Sequence, residues 1–115
     1  MDQPTDSELR DRYLPRLREE LAALRSASAD TAEARKPVEL DQQSVGRLSR
    51  MDALQQQAMS AAQDARRQGL GHAIEAAMRR IETGEFGYCD GCGDFIGLKR
   101  LDLDPTIMRC RECAG

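Results

Sequence analysis

Four cysteines near the C-terminal end of the sequence are the residues best suited to chemistry. They form two pairs, Cys89 with Cys92 and Cys110 with Cys113, each with two intervening residues. This spacing lets both sulfurs of a pair point at one ion, and the seventeen residues between the pairs lie in the range of a four-cysteine zinc site. Four thiolates close the tetrahedral shell of Zn²⁺ and leave no position for water or substrate, so the predicted role is structural.

The alternative uses of these cysteines are two disulfides or a redox-active Cys-x-x-Cys. Disulfides need an oxidising compartment, whereas the polar, acidic start Met1-Asp2-Gln3-Pro4 does not have the pattern of a secretory signal and predicts a cytoplasmic protein. A redox pair is expected beside a βαβ pattern, which the sequence does not contain. One structural Zn²⁺ is therefore the predicted cofactor.

The segment that must hold this site, residues 84–115, differs in composition from the rest of the chain. It contains three of the four aromatic residues and has glycine at short intervals. We expect short strands at Phe95–Leu101 and Pro105–Arg109, with a turn at Asp102–Pro105. A segment of about thirty residues with so few apolar side chains is not expected to order without metal.

Helical periodicity dominates the residues before this segment and begins at Ser7. Apolar residues recur at spacings of three and four up to about Ala32, which predicts one buried face of a helix. They are Leu9, Tyr13, Leu17, Leu21 and Leu24. Asp6 or Ser7 is suited to cap this helix. Because proline is favoured in a first turn and costly further in, we expect a short leading turn and a firm helix from Pro15.

A second and longer helix is predicted from Val45 to Thr83, after a break around Pro37. Gly84 is the expected stop, as a left-handed residue after the helix. The residues that we expect to form its contact face recur every three or four positions and are mostly small. They are Val45, Leu48, Met51, Leu54, Ala58, Ala62, Ala65, Gly69, Ala73, Ala77 and Ile81.

The two helices together predict the fold class. A helix as long as the second would leave its apolar face exposed without a neighbour, and the first helix is the available partner. We therefore expect a mainly α protein, in which an antiparallel two-helix coiled-coil hairpin over residues 1–83 precedes a small zinc-finger domain at 84–115. The tip of the hairpin is predicted at about residues 35–43.

Composition excludes several classes of function. The net charge is −3, from 17 basic and 20 acidic residues, so no broad phosphate-binding surface is expected. No apolar run approaches the about 20 residues that span a bilayer. The sequence has no phosphate loop, and its one histidine, His72, lies inside the long helix, where a surface or contact role is expected. We predict that the protein is not an enzyme.

The long helical hairpin that leads directly into residues 84–113 resembles, together with that segment, the DksA/TraR family of bacterial transcription regulators. The resemblance rests on Gly-Glu-Phe-Gly-Tyr-Cys-Asp-Gly-Cys-Gly at 84–93, on Ile-Gly-Leu-Lys-Arg-Leu at 96–101, and on Pro105-Thr106 before the second cysteine pair. It implies a factor that binds RNA polymerase directly rather than DNA. The coiled coil of such a factor enters the secondary channel, the zinc part contacts the channel rim, and open-complex stability changes at selected promoters, as in the stringent response.

The tip is where this sequence departs from the family. An acidic Asp-x-x-Asp-x-Ala signature is typical there, and counting back from Cys89 without gaps places it on Gly46, Ser49 and Met51, which lacks both acids. The local acids are Glu39, Asp41 and Asp52. Asp41 is the first choice for a residue acting near the polymerase active site, and capping of the second helix is its alternative role.

The resemblance also implies contacts outside the tip. Lys99, Arg100 and Arg109 are candidate contacts to the polymerase rim, with a solvated surface as the alternative. Family members often act with the alarmone ppGpp. Longer members continue into a C-terminal helix, whereas this sequence ends two residues after Cys113, so we do not extend the ppGpp response to it.

Two other functions stay open at this point. A zinc-ribbon protein that binds DNA or RNA would carry a basic stripe with stacking rings, but residues 85–115 hold more acidic than basic side chains. A zinc-stabilised coiled-coil adaptor would pair its second helix with another chain. The leading hypothesis is a monomeric polymerase-binding regulator without sequence-specific DNA binding.

Overall fold

The computed structural model describes residues 3–32 and 47–114, with the side chains of the second helix described from Arg50 onward. These residues form the helices α1 (Asp6–Asp30), α2 (Arg47–Thr83), α3 (Leu98–Leu103) and α4 (Arg111–Ala114). The chain divides into two compact units, here termed the zinc unit (Met1–Ala22 with Gly71–Gly115) and the helical unit (Ala23–Leu70). The predicted mainly α fold with two long helices and a four-cysteine group is confirmed. The domain boundary after residue 83 stays a prediction.

Thr5 caps α1. Its Oγ1 accepts a hydrogen bond from the Glu8 N–H at 3.1 Å, and its carbonyl oxygen accepts one from the Leu9 N–H at 3.0 Å. Thr5 followed three residues later by Glu8 is a capping-box sequence, which satisfies amide groups that the first turn leaves without partners. The prediction of Asp6 or Ser7 as the cap is therefore wrong.

α1 also continues through Pro15, so the prediction of a separate leading turn is wrong. Proline has no N–H to donate to the carbonyl of Asp11, four residues earlier. Both Pro15 and Asp11 are exposed, so water can reach the carbonyl that loses its helical donor. On the opposite side of the helix, Tyr13 and Leu17 are 1% and 0% exposed, and their burial holds the helix across the proline.

In the zinc unit, α1 and the last part of α2 pack by apolar side chains. Asp6 lies beside Gly84 and Leu21 lies beside Gly71, so the two helices run antiparallel there. Their buried side chains are Leu9, Tyr13, Leu17 and Leu21 of α1 with Ile74 and Ala77 of α2. The face predicted for α1 is confirmed at these four residues.

The contact face of α2 differs from the predicted one. Met51 and Leu54 are 58% and 48% exposed, and Ala58 and Ala65 are exposed as well. The buried and half-buried positions alternate in steps of three and four. Between residues 50 and 71 they are Arg50, Ala53, Gln57, Ser60, Asp64, Arg67 and Gly71. The predicted face contains consecutive steps of four, each about 40° more than a full turn. Between residues 51 and 69 the predicted face lies on the opposite side of the helix from the observed one and is wrong, and the steps of four after Ala65 turn it toward the observed face by Ala77 and Ile81.

The described part of the helical unit, residues 23–32 and 50–70, therefore buries a polar cluster. Asp64 is 6% exposed, and its two carboxylate oxygens accept hydrogen bonds from Ser28 Oγ at 2.6 Å and from Gln68 Nε2 at 2.7 Å. Arg67 Nη1 lies 3.7 Å from Asp64 Oδ1. A buried carboxylate needs such partners because it has lost its hydration.

Residues 95–109 do not form the predicted strands. α3 occupies Leu98–Leu103, and Tyr88 and Phe95 form an isolated antiparallel bridge. Gly97, with φ of 110°, turns the chain into α3. Leu101 is fully buried, and one buried leucine on a short helix replaces the alternating pattern that a strand would need.

Candidate metal centre

The last turn of α2 directs the chain into the metal centre. The helix ends before Gly84, whose φ of 79° is the left-handed conformation predicted for it. The Arg80 carbonyl oxygen accepts hydrogen bonds from the N–H groups of Glu85 and Phe86 at 2.9 and 3.1 Å. The Arg80 guanidinium donates to the carbonyl oxygens of Glu85 and Tyr88 at 3.1 and 2.7 Å. Arg80 thus fixes the residue that precedes the first cysteine.

The first cysteine pair lies in a tight loop closed by backbone hydrogen bonds. The Cys89 N–H donates to the Asp94 carbonyl at 2.7 Å, and the Gly93 N–H donates to the Cys89 carbonyl at 2.9 Å. The N–H groups of Gly91 and Cys92 lie 3.3 and 3.5 Å from Cys89 Sγ. Because N–H donors favour the charged form of an acceptor, this loop is built for a thiolate.

The second pair, Cys110 and Cys113, lies at the start of α4 and within it. The Asp90 N–H donates to the Met108 carbonyl at 2.7 Å and so joins the first loop to the residues before Cys110. Gly91 lies directly against Cys113, because a Cβ at position 91 would be only 3.2 Å from Cys113 Sγ. A side chain there would push the two pairs apart.

These loops bring the four sulfur atoms together. The Sγ atoms of Cys89, Cys92, Cys110 and Cys113 all lie within 4.8 Å of one another, and none of them is in a disulfide. Cys92 Sγ and Cys110 Sγ are 3.6 Å apart, whereas Zn–S bonds of about 2.3 Å place tetrahedral sulfurs about 3.8 Å apart. The donor set fits one Zn²⁺, as predicted, and protein atoms fill all four positions around it.

The electrostatics of the thiols also favour a cation. Hydrogen bonds from the backbone N–H groups of Cys110, Cys92 and Gly91 lower the pKa of the Cys89 thiol to about 6. The adjacent sulfurs, Cys89 first, raise the pKa of the Cys113 thiol to about 12. Four neighbouring thiolates repel one another, and a divalent cation converts that repulsion into attraction.

A polar cluster ties α1 to α3 beside the metal centre. This cluster, termed the brace, consists of Arg12, Tyr13, Arg16 and Asp102. Arg12 donates two hydrogen bonds to the Asp102 carboxylate at 2.7 and 3.1 Å, and the Tyr13 hydroxyl donates a third at 2.8 Å. Arg16 Nη1 donates to the Asp102 carbonyl at 2.6 Å. The hydrogen bonds from Arg12 and Tyr13 hold the pKa of Asp102 below its usual value, and burial raises the pKa of Tyr13.

The brace could not be predicted from the sequence. Arg12 and Asp102 are 90 positions apart, so no local pattern relates them, and Asp102 was assigned to a turn between strands that do not form. One signal was available. Tyr13 lies on an otherwise aliphatic helix face, and a buried tyrosine usually needs a partner for its hydroxyl.

The predicted tip residues are placed only in part. Glu39 and Asp41, with the whole predicted tip at 35–43, lie outside the described residues. Asp52 lies on α2 and is exposed. His72 is also exposed on α2. Asp52, the one tip candidate among the described residues, thus belongs to the helical unit.

The three candidate rim residues have different surroundings. Lys99 and Arg109 are exposed, whereas Arg100 is half-buried. Arg100 Nη2 donates to the Arg109 carbonyl at 3.3 Å. Arg100 therefore supports the chain just before the second cysteine pair, which gives its guanidinium a structural contact in addition to any external one.

Comparison with known proteins identifies the class of the metal centre. Residues 84–115 match the prokaryotic dksA/traR C4-type zinc finger. The resemblance stated from the sequence is therefore confirmed for this segment.

The curated relatives match over the same end of the chain. The RNA polymerase-binding transcription factor DksA of Haemophilus influenzae is 48% identical over 40 residues, which are 35% of this chain and 28% of the relative. DksA of Escherichia coli strain K12 is 42% identical over 40 residues, 35% of this chain and 26% of the relative. The matched segment thus spans only about a quarter of these relatives.

A solved structure extends the likeness to the helices. Transcription factor DksA2 from Pseudomonas aeruginosa superposes with a TM-score of 0.71 at 25% sequence identity, and the match covers 95% of this chain and 79% of that chain. The arrangement of two long helices and a compact C-terminal segment is therefore shared with a transcription factor of known structure.

Proposed function

We propose that this protein binds bacterial RNA polymerase directly and regulates transcription initiation. The observation that carries the proposal is the match of fold over 95% of the chain to DksA2, together with the C4-type zinc finger at residues 84–115. Similar proteins are named RNA polymerase-binding transcription factors. A closed four-thiolate site suits a binding protein, since it offers no open metal position for substrate.

In this proposal the helices enter the secondary channel and alter transcription at selected promoters. α2 alone has 37 residues and is about 56 Å long at about 1.5 Å per residue. A helix of that length is suited to extend into the secondary channel while the zinc unit stays at the channel entrance. The brace supports this role because it fixes α1 to the zinc segment through charge-assisted hydrogen bonds.

The residue roles in this proposal follow the sequence predictions. Asp41 acts near the polymerase active site, with Glu39 and Asp52 as further acidic candidates. Lys99 and Arg109, both exposed, contact the channel rim. Arg100 is the third candidate contact to the channel rim, and its guanidinium also donates a hydrogen bond to the Arg109 carbonyl.

The remaining features of the proposal concern partners and location. The protein acts as a cytoplasmic monomer, without catalysis and without sequence-specific DNA binding, in keeping with its net charge of −3. No helix in the described ranges is long and apolar enough to cross a membrane. We do not include ppGpp among the proposed ligands.

One observation favours a second candidate function, a zinc-stabilised coiled-coil adaptor. Met51 and Leu54 are 58% and 48% exposed on α2. Exposed apolar side chains on one helix face often mark a contact with another protein. Pairing of α2 with another chain would bury them. Sedimentation at increasing protein concentration distinguishes the two functions. An adaptor that pairs through α2 of a second copy self-associates, whereas the proposed regulator stays monomeric.

The direct test is binding of the zinc-loaded protein to core RNA polymerase. We expect saturable binding that a competitor occupying the secondary channel abolishes. The matched control is the same protein after zinc chelation, which should lose binding with its fold. Absence of binding by folded, zinc-loaded protein contradicts the proposal, and binding that the competitor does not affect contradicts the route through the channel.

A further inference from the structure

The zinc unit contains a groove between α1 and α2 that the metal centre and the brace do not use. Its volume is about 260 Å³. The lining residues are Arg10, Leu14 and Arg18 of α1 with Met78, Ile81 and Glu82 of α2. Leu14, Met78 and Ile81 are half-buried, so the floor of the groove is apolar while its edges carry charge.

The two arginines of the groove differ from the other arginines of α1. Arg12 and Arg16 donate to Asp102, and Arg25 also has an interaction partner. Arg10 and Arg18 are both exposed, and no hydrogen bond or ion pair joins either one to another residue in the ranges 3–32 and 47–114. Their guanidinium groups therefore have free donors at the edge of an apolar floor.

The spacing of these arginines defines the ligand that would fit them. Eight residues of helix separate Arg10 from Arg18, which places them about 12 Å apart, with Leu14 midway between them on the same side. Guanidinium groups bind carboxylates through charge-assisted hydrogen bonds. The complementary ligand is a segment that carries carboxylates about 12 Å apart with an apolar side chain between them.

We propose that this groove binds an acidic protein segment of RNA polymerase. An apolar side chain of that segment inserts between Leu14 and Met78, and its flanking carboxylates bind Arg10 and Arg18. The identity of the partner rests on the proposed function. The groove supplies a second anchor, in the zinc unit, that is separate from the tip and from the candidate rim residues.

The chemistry of the groove favours a peptide over a nucleic acid. A nucleic-acid backbone has no apolar group to place against Leu14, Met78 and Ile81, and Glu82 would repel its phosphates. The net charge of −3 further disfavours phosphate binding. A peptide can place its carboxylates at the arginines and keep an apolar or neutral group beside Glu82.

The test is the affinity of charge-reversal variants for core RNA polymerase. We expect Arg10→Glu and Arg18→Glu each to weaken binding, and the double variant to weaken it at least about tenfold, since like charges then face the acidic segment. Both side chains are exposed and unpaired, so the variants keep the wild-type melting temperature. Arg79→Glu is the matched control, because Arg79 is an exposed residue of the same unit that does not line the groove, and we expect a change below about twofold.

A second variant tests the sign of the charge effect. Glu82→Gln removes the one acidic side chain of the groove, and we expect it to strengthen binding by about twofold to fivefold. Weakening by Glu82→Gln contradicts the proposal, since it would indicate a basic ligand. Raising the salt concentration should reduce wild-type affinity more than that of the double variant.

The outcomes separate this proposal from the proposed function. If wild type binds polymerase and the double variant binds equally well, or no more weakly than Arg79→Glu, the groove assignment is wrong and the proposed function stands. If the double variant loses affinity for promoter DNA or RNA but keeps polymerase binding, the groove is a nucleic-acid site and the assignment is again wrong. If folded wild type does not bind polymerase, the proposed function fails and the groove partner fails with it.

Discussion

The zinc unit and the helical unit share the same two long helices but bury different chemistry. In the zinc unit the interior is apolar, and the Tyr13 and Phe86 rings pack with centroids 5.4 Å apart. In the helical unit the most buried side chain of α2 is the carboxylate of Asp64, while Met51 and Leu54 are exposed. Helix periodicity is continuous through both units, so the difference lies in which side chains occupy the contact positions.

This difference predicts a gradient of stability along the helices. Burial of apolar area stabilises by about 25 cal/mol per Å², whereas a buried ionic cluster often contributes little or nothing net. Regions with few buried apolar contacts open locally at low free energy. The helical unit is therefore expected to open more easily than the zinc unit, and four experiments test that contrast.

Removal of Zn²⁺ is expected to have the largest effect. Structural zinc contributes about 10–16 kcal/mol in small domains, and residues 84–114 bury few other side chains. We expect chelation to abolish the hydrogen-exchange protection of α3 amides, and readdition of Zn²⁺ to restore it. Retained protection of α3 in the apo protein contradicts this prediction. Cys110→Ser should reproduce the effect of chelation, with Glu112→Gln as a matched control in α4.

Truncation of one leucine in each unit is expected to have the next largest effect. Leu17 is fully buried in the zinc unit, and Leu17→Ala should lower the free energy of unfolding by about 2–5 kcal/mol. Leu24 is half-buried in the helical unit, so Leu24→Ala should cost less than about 1.5 kcal/mol. Urea denaturation of zinc-loaded protein measures both. Equal losses would remove the proposed contrast between the units.

Replacement of the buried carboxylate is expected to have a smaller effect of opposite sign. Apolar replacement of a whole buried ion pair is often neutral or stabilising, whereas loss of one partner leaves the other uncompensated, so Asp64→Leu combined with Arg67→Met should raise the free energy of unfolding by up to about 2 kcal/mol. Asp52→Leu, at an exposed position of α2, is the matched control and should change stability by less than about 0.5 kcal/mol. A loss above about 1 kcal/mol in this double variant would mean that the polar cluster stabilises the helical unit.

Titration of Tyr13 is expected to show the smallest effect. Burial, and then the hydrogen bond with Asp102, raise the pKa of Tyr13 above its usual value of 10.0. A raised pKa favours the neutral phenol in the folded state, so this contribution to stability is complete below pH 10 and is lost as pH rises through the raised pKa. Absorbance of the phenolate in a Tyr88→Phe background isolates Tyr13.

The brace supplies the control for that titration. Asp102→Asn removes the second cause of the shift and keeps the burial, so the pKa of Tyr13 should move partway back toward its usual value. No change in Asp102→Asn would show that the carboxylate does not act on Tyr13 in solution.

The sequence predicted the four-cysteine group and the C-terminal end of α2 because each of these features is local. Cys-x-x-Cys spacing and the glycines around it determine the loop geometry, and Gly84 ends α2 through its own backbone preference. The buried face of α1 was also predictable, since four large apolar residues repeat at helical spacing. These features depend on residues within a few positions of one another.

The features that could not be predicted depend on distant contacts. The contact face of α2 between residues 51 and 69 places Asp64 inward, where it meets Ser28 of α1, and it leaves Ala58 and Ala65 exposed. The brace joins residues 90 positions apart. α3 forms where strands were expected because Leu101 is buried in the unit, and Pro15 is tolerated because the other face of α1 is buried.

The long separation between the two ends of the brace has a consequence for synthesis of the chain. Tyr13 is translated early, but its ring partner Phe86 and its hydroxyl partner Asp102 are translated 73 and 89 residues later. The brace contacts of α1 therefore wait until residue 102 has left the ribosome. A nascent chain that stops before residue 102 cannot form the brace, although α1 can already pack against Ile74 and Ala77 of α2.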